Sequence, residues 1–126
     1  MKRILVQIYA KDKTEAFEFY KNAFGAEQGY CEKDGDGNII HQELNIGGQS
    51  MAVGDIYTGP DQAVTGNTMQ FCMQFEKGEE PIIERAYEAM KTDGQVIAPL
   101  GPCFWSPYMT DIIDKYGVHW CLFIGD

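Results

Sequence analysis

His41 and Glu43 lie two residues apart in a strand-like run, Ile40-His41-Gln42-Glu43-Leu44-Asn45-Ile46. Side chains two apart on a strand share a face. An imidazole beside a carboxylate can serve as an acid/base pair, or as a hydrogen-bonded structural pair. The chain's other histidine, His119, lies in a second strand-like run, Val118 to Ile124. The four cysteines, Cys31, Cys72, Cys103 and Cys121, form no CxxC pair and no Cys/His zinc spacing. They read as reduced thiols of a cytoplasmic protein, behaving as small core residues. Asp34, Asp36 and Asn38 stand at positions one, three and five of a calcium loop. Position six is Ile39 rather than Gly, however, and position twelve is Asn45 rather than Glu. Asp34-Gly35-Asp36-Gly37 is better read as a hairpin turn.

These residues must be positioned by a repeated set of elements. Arg3 to Tyr9 alternates, with Ile4, Val6 and Ile8 expected to be buried and Arg3, Leu5, Gln7 and Tyr9 on the other face. Asp12 opens a helix with Glu15 three residues on, Phe17, Tyr20 and Phe24 at helical spacing, and Gly25 as the cap. Strands follow at Glu27 to Lys33, Asn38 to Ile46 and Ser50 to Ile56. After Tyr57 to Gly66 the order recurs. Thr68 to Phe75 is a strand with Met69, Phe71, Met73 and Phe75 on one face. A helix begins near Pro81 and carries Ile82, Ile83, Ala86, Tyr87 and Met90 up to Gly94. Three strands follow at Gln95 to Leu100, Tyr108 to Ile113 and Val118 to Ile124.

The expected fold is therefore α+β: paired βαβββ modules with a mixed, mainly antiparallel sheet curved around a cavity and helices on the outer face. The first module spans 1–57, a linker 58–66 and the second module 67–126. A hydrophobic fraction of 44% and a charged fraction of 23% suit a globular domain. A net charge of −9 with no basic run excludes nucleic-acid backbones and anionic membrane surfaces as partners. No apolar run approaches the ~18 residues of a membrane span, and no secretory signal is evident.

Strand parity also predicts a second, non-helical sheet face. It would carry Gln7, Tyr9, His41, Glu43, Asn45, Gln70, Cys72, Gln74, His119, Cys121 and Phe123. Amides, histidines, a carboxylate, thiols and aromatics suit a small-molecule pocket better than a solvated face rich in Lys and Glu. Trp105 and Tyr108, in a loop flanked by Gly and Pro, are expected to cap that pocket.

The run from Trp105 through Asp114, Tyr116 and Gly117 to Trp120 resembles the C-terminal signature of PhnB-like proteins in the vicinal-oxygen-chelate (glyoxalase/bleomycin resistance/dioxygenase) superfamily. Phe17-Glu18-Phe19-Tyr20-Lys21-Asn22-Ala23-Phe24-Gly25-Ala26 resembles the family's first helix, and His41-Gln42-Glu43-Leu44-Asn45-Ile46-Gly47 its His-x-Glu-Leu-x-Ile-Gly strand. Ser106 stands where the family more usually has Gly. The resemblance implies paired modules, a homodimer and, in metal-dependent relatives, a divalent ion held by the first and last strand of each module.

Carried onto this chain, the resemblance puts the four ligand positions at Leu5, Gly54 or Asp55, Gln70 and Cys121. Leu5 has no donor atom and Gln70 is a weak one, so no metal or other cofactor is expected. The expected function is small-molecule binding of the glyoxalase/bleomycin-resistance type. The alternative is a metal-dependent lyase, isomerase or dioxygenase with a displaced site at His41, Glu43 and His119. A methyltransferase is discounted, since no Gly-rich turn joins a strand to a helix.

Overall fold

The computed structural model describes residues 1–56 and 58–126. Tyr57, expected at the end of the first module, lies outside the described residues. The elements run β1 (Val6–Tyr9), α1 (Lys13–Phe24), β2 (Glu27–Lys33), β3 (Ile39–Ile46), β4 (Gln49–Gly54), a 3-10 turn (Pro60–Gln62), β5 (Phe71–Phe75), α2 (Glu80–Lys91), β6 (Gln95–Gly101), β7 (Met109–Ile113) and β8 (His119–Ile124). They form two compact units, Met1–Val64 and Thr65–Asp126. Each unit is a strand, a helix and a three-strand meander, as the sequence pattern predicts.

The first sheet has the order β1-β4-β3-β2 and the second β5-β8-β7-β6. In each, the first strand pairs in parallel with the last, and the remaining pairs are antiparallel. In the first unit α1 packs on β3 and β4, and Phe17, Tyr20, Leu44, Met51 and Val53 are buried. In the second unit α2 packs on β6, β7 and β8, and Ile83, Met90, Ile112, Trp120 and Leu122 are fully buried. Phe71 stacks on Trp120, with ring centroids 4.5 Å apart.

Helix α1 starts where Asp12 accepts a hydrogen bond from the Glu15 amide at 3.0 Å, and ends at Gly25 in the left-handed conformation. Helix α2 has no side-chain cap and relies on Pro81 in its first turn. Gly94 follows it for a steric reason. A Cβ there would lie 2.2 Å from the Met90 carbonyl oxygen and 2.6 Å from that of Ile113.

Two expectations about burial fail. Strand β1 is shorter than Arg3 to Tyr9, and of Ile4, Val6 and Ile8 only Ile8 is buried; Ile4 is 77% exposed. Ile4 precedes the strand, so no neighbouring strand or helix covers it. Strand β5 likewise begins at Phe71, leaving Met69 79% exposed.

Two turns share one construction. Asp34 Oδ1 accepts from the amides of Asp36 and Asn38, each at 2.9 Å, and Gly37 takes a positive φ. These bonds from Asn38 and its neighbours hold the Asp34 carboxyl below its ordinary pKa. Asp114 Oδ1 accepts from Tyr116 at 2.9 Å and Val118 at 3.0 Å, and Gly117 takes a positive φ. In the second turn Asp114 is buried, and its Oδ2 also accepts from the indole Nε1 of Trp120 at 2.9 Å. The spacing from Asp114 to Gly117 to Trp120 is thus one hydrogen-bonded unit. Asp114→Ala should cost about 2–4 kcal/mol, because it strands the buried indole N–H and two amides. Urea denaturation should show this as a lower midpoint, with a much smaller change for Asp34→Ala in its exposed turn.

Candidate functional site

Register puts Gln7 and Glu43 in one row through Ala52, and Tyr9 and His41 in the next through Gly54. Gln7, Tyr9, His41, Glu43 and Asn45 therefore share the face opposite the buried Leu44, as parity predicts. Gly54 has a specific use here. A Cβ at this position would lie 3.1 Å from the Gln7 side-chain amide, so its absence lets Gln7 cross the sheet to His41.

The first sheet's polar groups form a closed network. Arg3 donates two hydrogen bonds to Glu43, at 2.7 and 2.9 Å. His41 meets Glu43 through Nε2 at 3.0 Å, and Gln7 through Nδ1. The Glu43 side chain is only 6% exposed. The Arg3 hydrogen bonds outweigh the effect of burial and lower its pKa to about 2. Glu43 also raises the pKa of the Arg3 guanidinium. A carboxylate held this way is a weak base, and both ring nitrogens of His41 are already engaged. His41 and Glu43 do come together as expected, but as a structural pair. Asn45 is engaged too, accepting from the Gly48 amide at 3.0 Å. Tyr9 is exposed and Tyr30 lies beside His41, with centroids 6.3 Å apart.

The second sheet places Gln70, Cys72, Gln74, His119, Cys121 and Phe123 on or beside its non-helical face, with Asp111 opposite Cys121. Here the network is open. Gln70 donates to Asp111 Oδ1 at 3.0 Å and accepts from the Cys72 thiol at 3.6 Å. Among the described residues, Asp111 Oδ2 and the ring nitrogens of His119 have no hydrogen-bond partner. A cavity of about 410 Å³ is lined by Gln70, Asp111 and His119, by Asn67 and Thr68, and by the apolar Met69, Ile97 and Ile113. Gln74 is engaged with the Asp126 carbonyl at 2.9 Å. Burial pushes the Cys121 thiol up to about 11.

Trp105 joins this face, edge-on to Phe123 with centroids 5.0 Å apart. Tyr108 does not. Met109 pairs with Phe123 on the polar face, so the residue before it falls on the helix side. Its hydroxyl donates to Glu84 of α2 at 2.8 Å, and burial together with that carboxylate pushes it up to about 12. The loop between Trp105 and Tyr108 is fastened by Ser106. Its buried hydroxyl donates to the Ile124 carbonyl at 2.7 Å and lies 3.0 Å from the Tyr108 carbonyl.

The chain matches the Glyoxalase/Bleomycin resistance protein/Dioxygenase superfamily over residues 3–122. It belongs to that superfamily. Its fold is similar to that of a PhnB protein from Bacillus cereus, with 25% identity, a TM-score of 0.74 and coverage of 99% of this chain and 100% of the other. It is also similar to the fosfomycin resistance protein FosX from Listeria monocytogenes, with 16% identity, a TM-score of 0.70 and coverage of 100% and 95%. A point mutant of FosX, crystallised with Mn(II) and 1S,2S-dihydroxypropylphosphonic acid, is similar at 19% identity, a TM-score of 0.64 and coverage of 100% and 92%. No curated protein sequence matches the chain. No helix among the described residues is long and apolar enough to cross a membrane.

Gly54 and Asp55, the two alternatives for one implied ligand position, are placed differently. Gly54 lies on the polar face opposite His41, whereas Asp55 is past the strand and ion-paired with Lys13 at 3.1 Å. The four positions that the resemblance implies would then be Leu5, Gly54, Gln70 and Cys121. Two have no donor, one is an amide engaged with Asp111, and one is a thiol held protonated by burial. This set does not suit a hard divalent ion. Among the described residues, no three His, Cys, Asp or Glu side chains gather to hold a metal.

The missed residues are Arg3 and Asp111. Parity puts Arg3 on the correct face, but its reach to Glu43 is a tertiary fact. Asp111 sits in a run read for its apolar residues. Because the Glu43 pKa is lowered, its stabilisation is complete above about pH 4.5 and is lost as pH falls towards about 2. Melting curves against pH should therefore be flatter across that acid range in Glu43→Gln, with the variant less stable near neutrality.

Proposed function

We propose that this chain is a small-molecule-binding protein of the glyoxalase/bleomycin-resistance type that works without the metal of its metal-dependent relatives. The observation that carries the reading is the open polar cluster of the second sheet. Buried polar groups normally satisfy one another. In the first sheet they do; around the cavity, Asp111 and His119 are only half-buried, and Asp111 Oδ2 and the His119 nitrogens, without a partner among the described residues, are open to a ligand.

The lining defines a ligand class. It holds one carboxylate, no Lys and no Arg, and three apolar side chains. A ligand with an ammonium or similar donor at one end and an apolar body would pair with Asp111 and cover Met69, Ile97 and Ile113. Trp105 and Phe123 extend the aromatic surface on the same face. The unfavourable donor set at Leu5, Gly54, Gln70 and Cys121 supports a metal-free mode. The second reading, a displaced metal site, is favoured by the Mn(II) complex of the FosX mutant. It draws on His41 and Glu43, whose polar atoms are already engaged within the first unit.

We also propose a homodimer, as the resemblance implies. Ile4 and Val6, next to and on edge strand β1, are exposed in the single chain, and pairing would cover them. Light scattering should then give twice the 14.2 kDa chain mass. Four free thiols fit a reducing, cytoplasmic setting.

Matched panels of amines and carboxylates on common apolar skeletons, titrated with EDTA present, test the reading by thermal shift and calorimetry. Amines should stabilise the fold, and Asp111→Asn should weaken their binding by about tenfold, the loss of one charge-assisted hydrogen bond. Stabilisation only after adding Mn(II), or none from either panel, would contradict it.

A further inference from the structure

We infer that Cys72 and Cys121 form an oxidisable dithiol pair, which a low-molecular-weight disulfide converts to an intramolecular disulfide on the polar face of the second sheet. The inference is independent of the proposed ligand. It rests first on register: Cys72 on β5 lies directly opposite Cys121 on β8, in a parallel pairing. Neighbouring strands run about 4.7–4.9 Å apart, and disulfides span Cα separations of about 4.4–6.8 Å. Directly opposed residues point to the same face, so the two thiols are neighbours. Cys72 acts on the Cys121 thiol by charge and by hydrogen bonding.

Exposure divides the roles. Cys72 is exposed and Cys121 buried, so an oxidant reaches Cys72 first. The Cys72 thiolate attacks one sulfur of oxidised glutathione, forming a mixed disulfide and releasing one glutathione thiolate. The Cys121 thiolate then attacks the Cys72 sulfur and releases the second. The protein loses two protons and two electrons, and one glutathione disulfide becomes two thiols. Cys121 is buried, so it is reached through the mixed disulfide on the neighbouring Cys72 rather than by the oxidant directly. The competing thiol is Cys103, which acts on Cys121 by charge but faces no cysteine in the ladder. Cys31 belongs to the other unit.

Oxidised glutathione added to the full chain, followed by intact mass and peptide mapping, tests this. A glutathione adduct on Cys72 should appear first and give way to a species lighter than the reduced chain by two hydrogen atoms, with Cys72 linked to Cys121. Cys72→Ser, at an exposed position, should abolish the mass loss, and Cys103→Ser should leave it intact. Cys121→Ser should stop at the adduct; if that buried substitution does not fold, the other two variants decide. A Cys72 adduct that persists, a linkage to Cys103, or no loss of hydrogen would overturn the inference.

Discussion

Leu44, Val53 and Ile8 in the first sheet, and Ile112, Trp120 and Leu122 in the second, are buried on the helix-bearing faces. A slip of one residue in any pairing would turn these side chains to the opposite face. Burying a large apolar side chain stabilises by roughly 1.5–3 kcal/mol, so register is strongly determined. The polar faces follow from it. Once Leu44 is inside, His41, Glu43 and Asn45 must be outside the helix layer. Once Trp120 and Leu122 are inside, His119, Cys121 and Phe123 must be as well. The turn around the buried Asp114 pins β7 to β8 and sets the register of that half.

The two polar faces descend from one pattern but end in different chemistry. In the first unit an Arg, a Glu, a His and a Gln satisfy one another, and Gly54 makes room for the last contact. In the second unit the carboxylate keeps one oxygen free, the histidine is unengaged, and an apolar rim surrounds them. The scaffold repeats, and the unengaged polar groups lie in the second half.

Much of the fold was legible because alternation, the Asp12 cap and the glycine-bearing turns are local signals. The limits of β1 and β5 were not, since Ile4 and Met69 continue the alternation beyond the last paired residue. Within each sheet the non-helical face was legible from parity alone, for Gln7, His41 and Glu43 in the first and for Gln70, His119 and Cys121 in the second. Tyr108 was misplaced because the loop before β7 gives no phase of its own; Met109 supplies it. Long-range partners were out of reach. Nothing local ties Arg3 to Glu43 or Ser106 to the Ile124 carbonyl.

The proposed metal-free mode depends on the four positions that the resemblance implies as ligands. Leu5 and Gly54 offer no donor, and the Gln70 amide and Cys121 thiol are poor partners for a hard ion. Elemental analysis of tag-free protein from cells supplied with manganese and zinc measures the consequence directly. If these positions no longer chelate, the protein should carry far less than one ion per chain. One tightly held divalent ion per chain would contradict the claim.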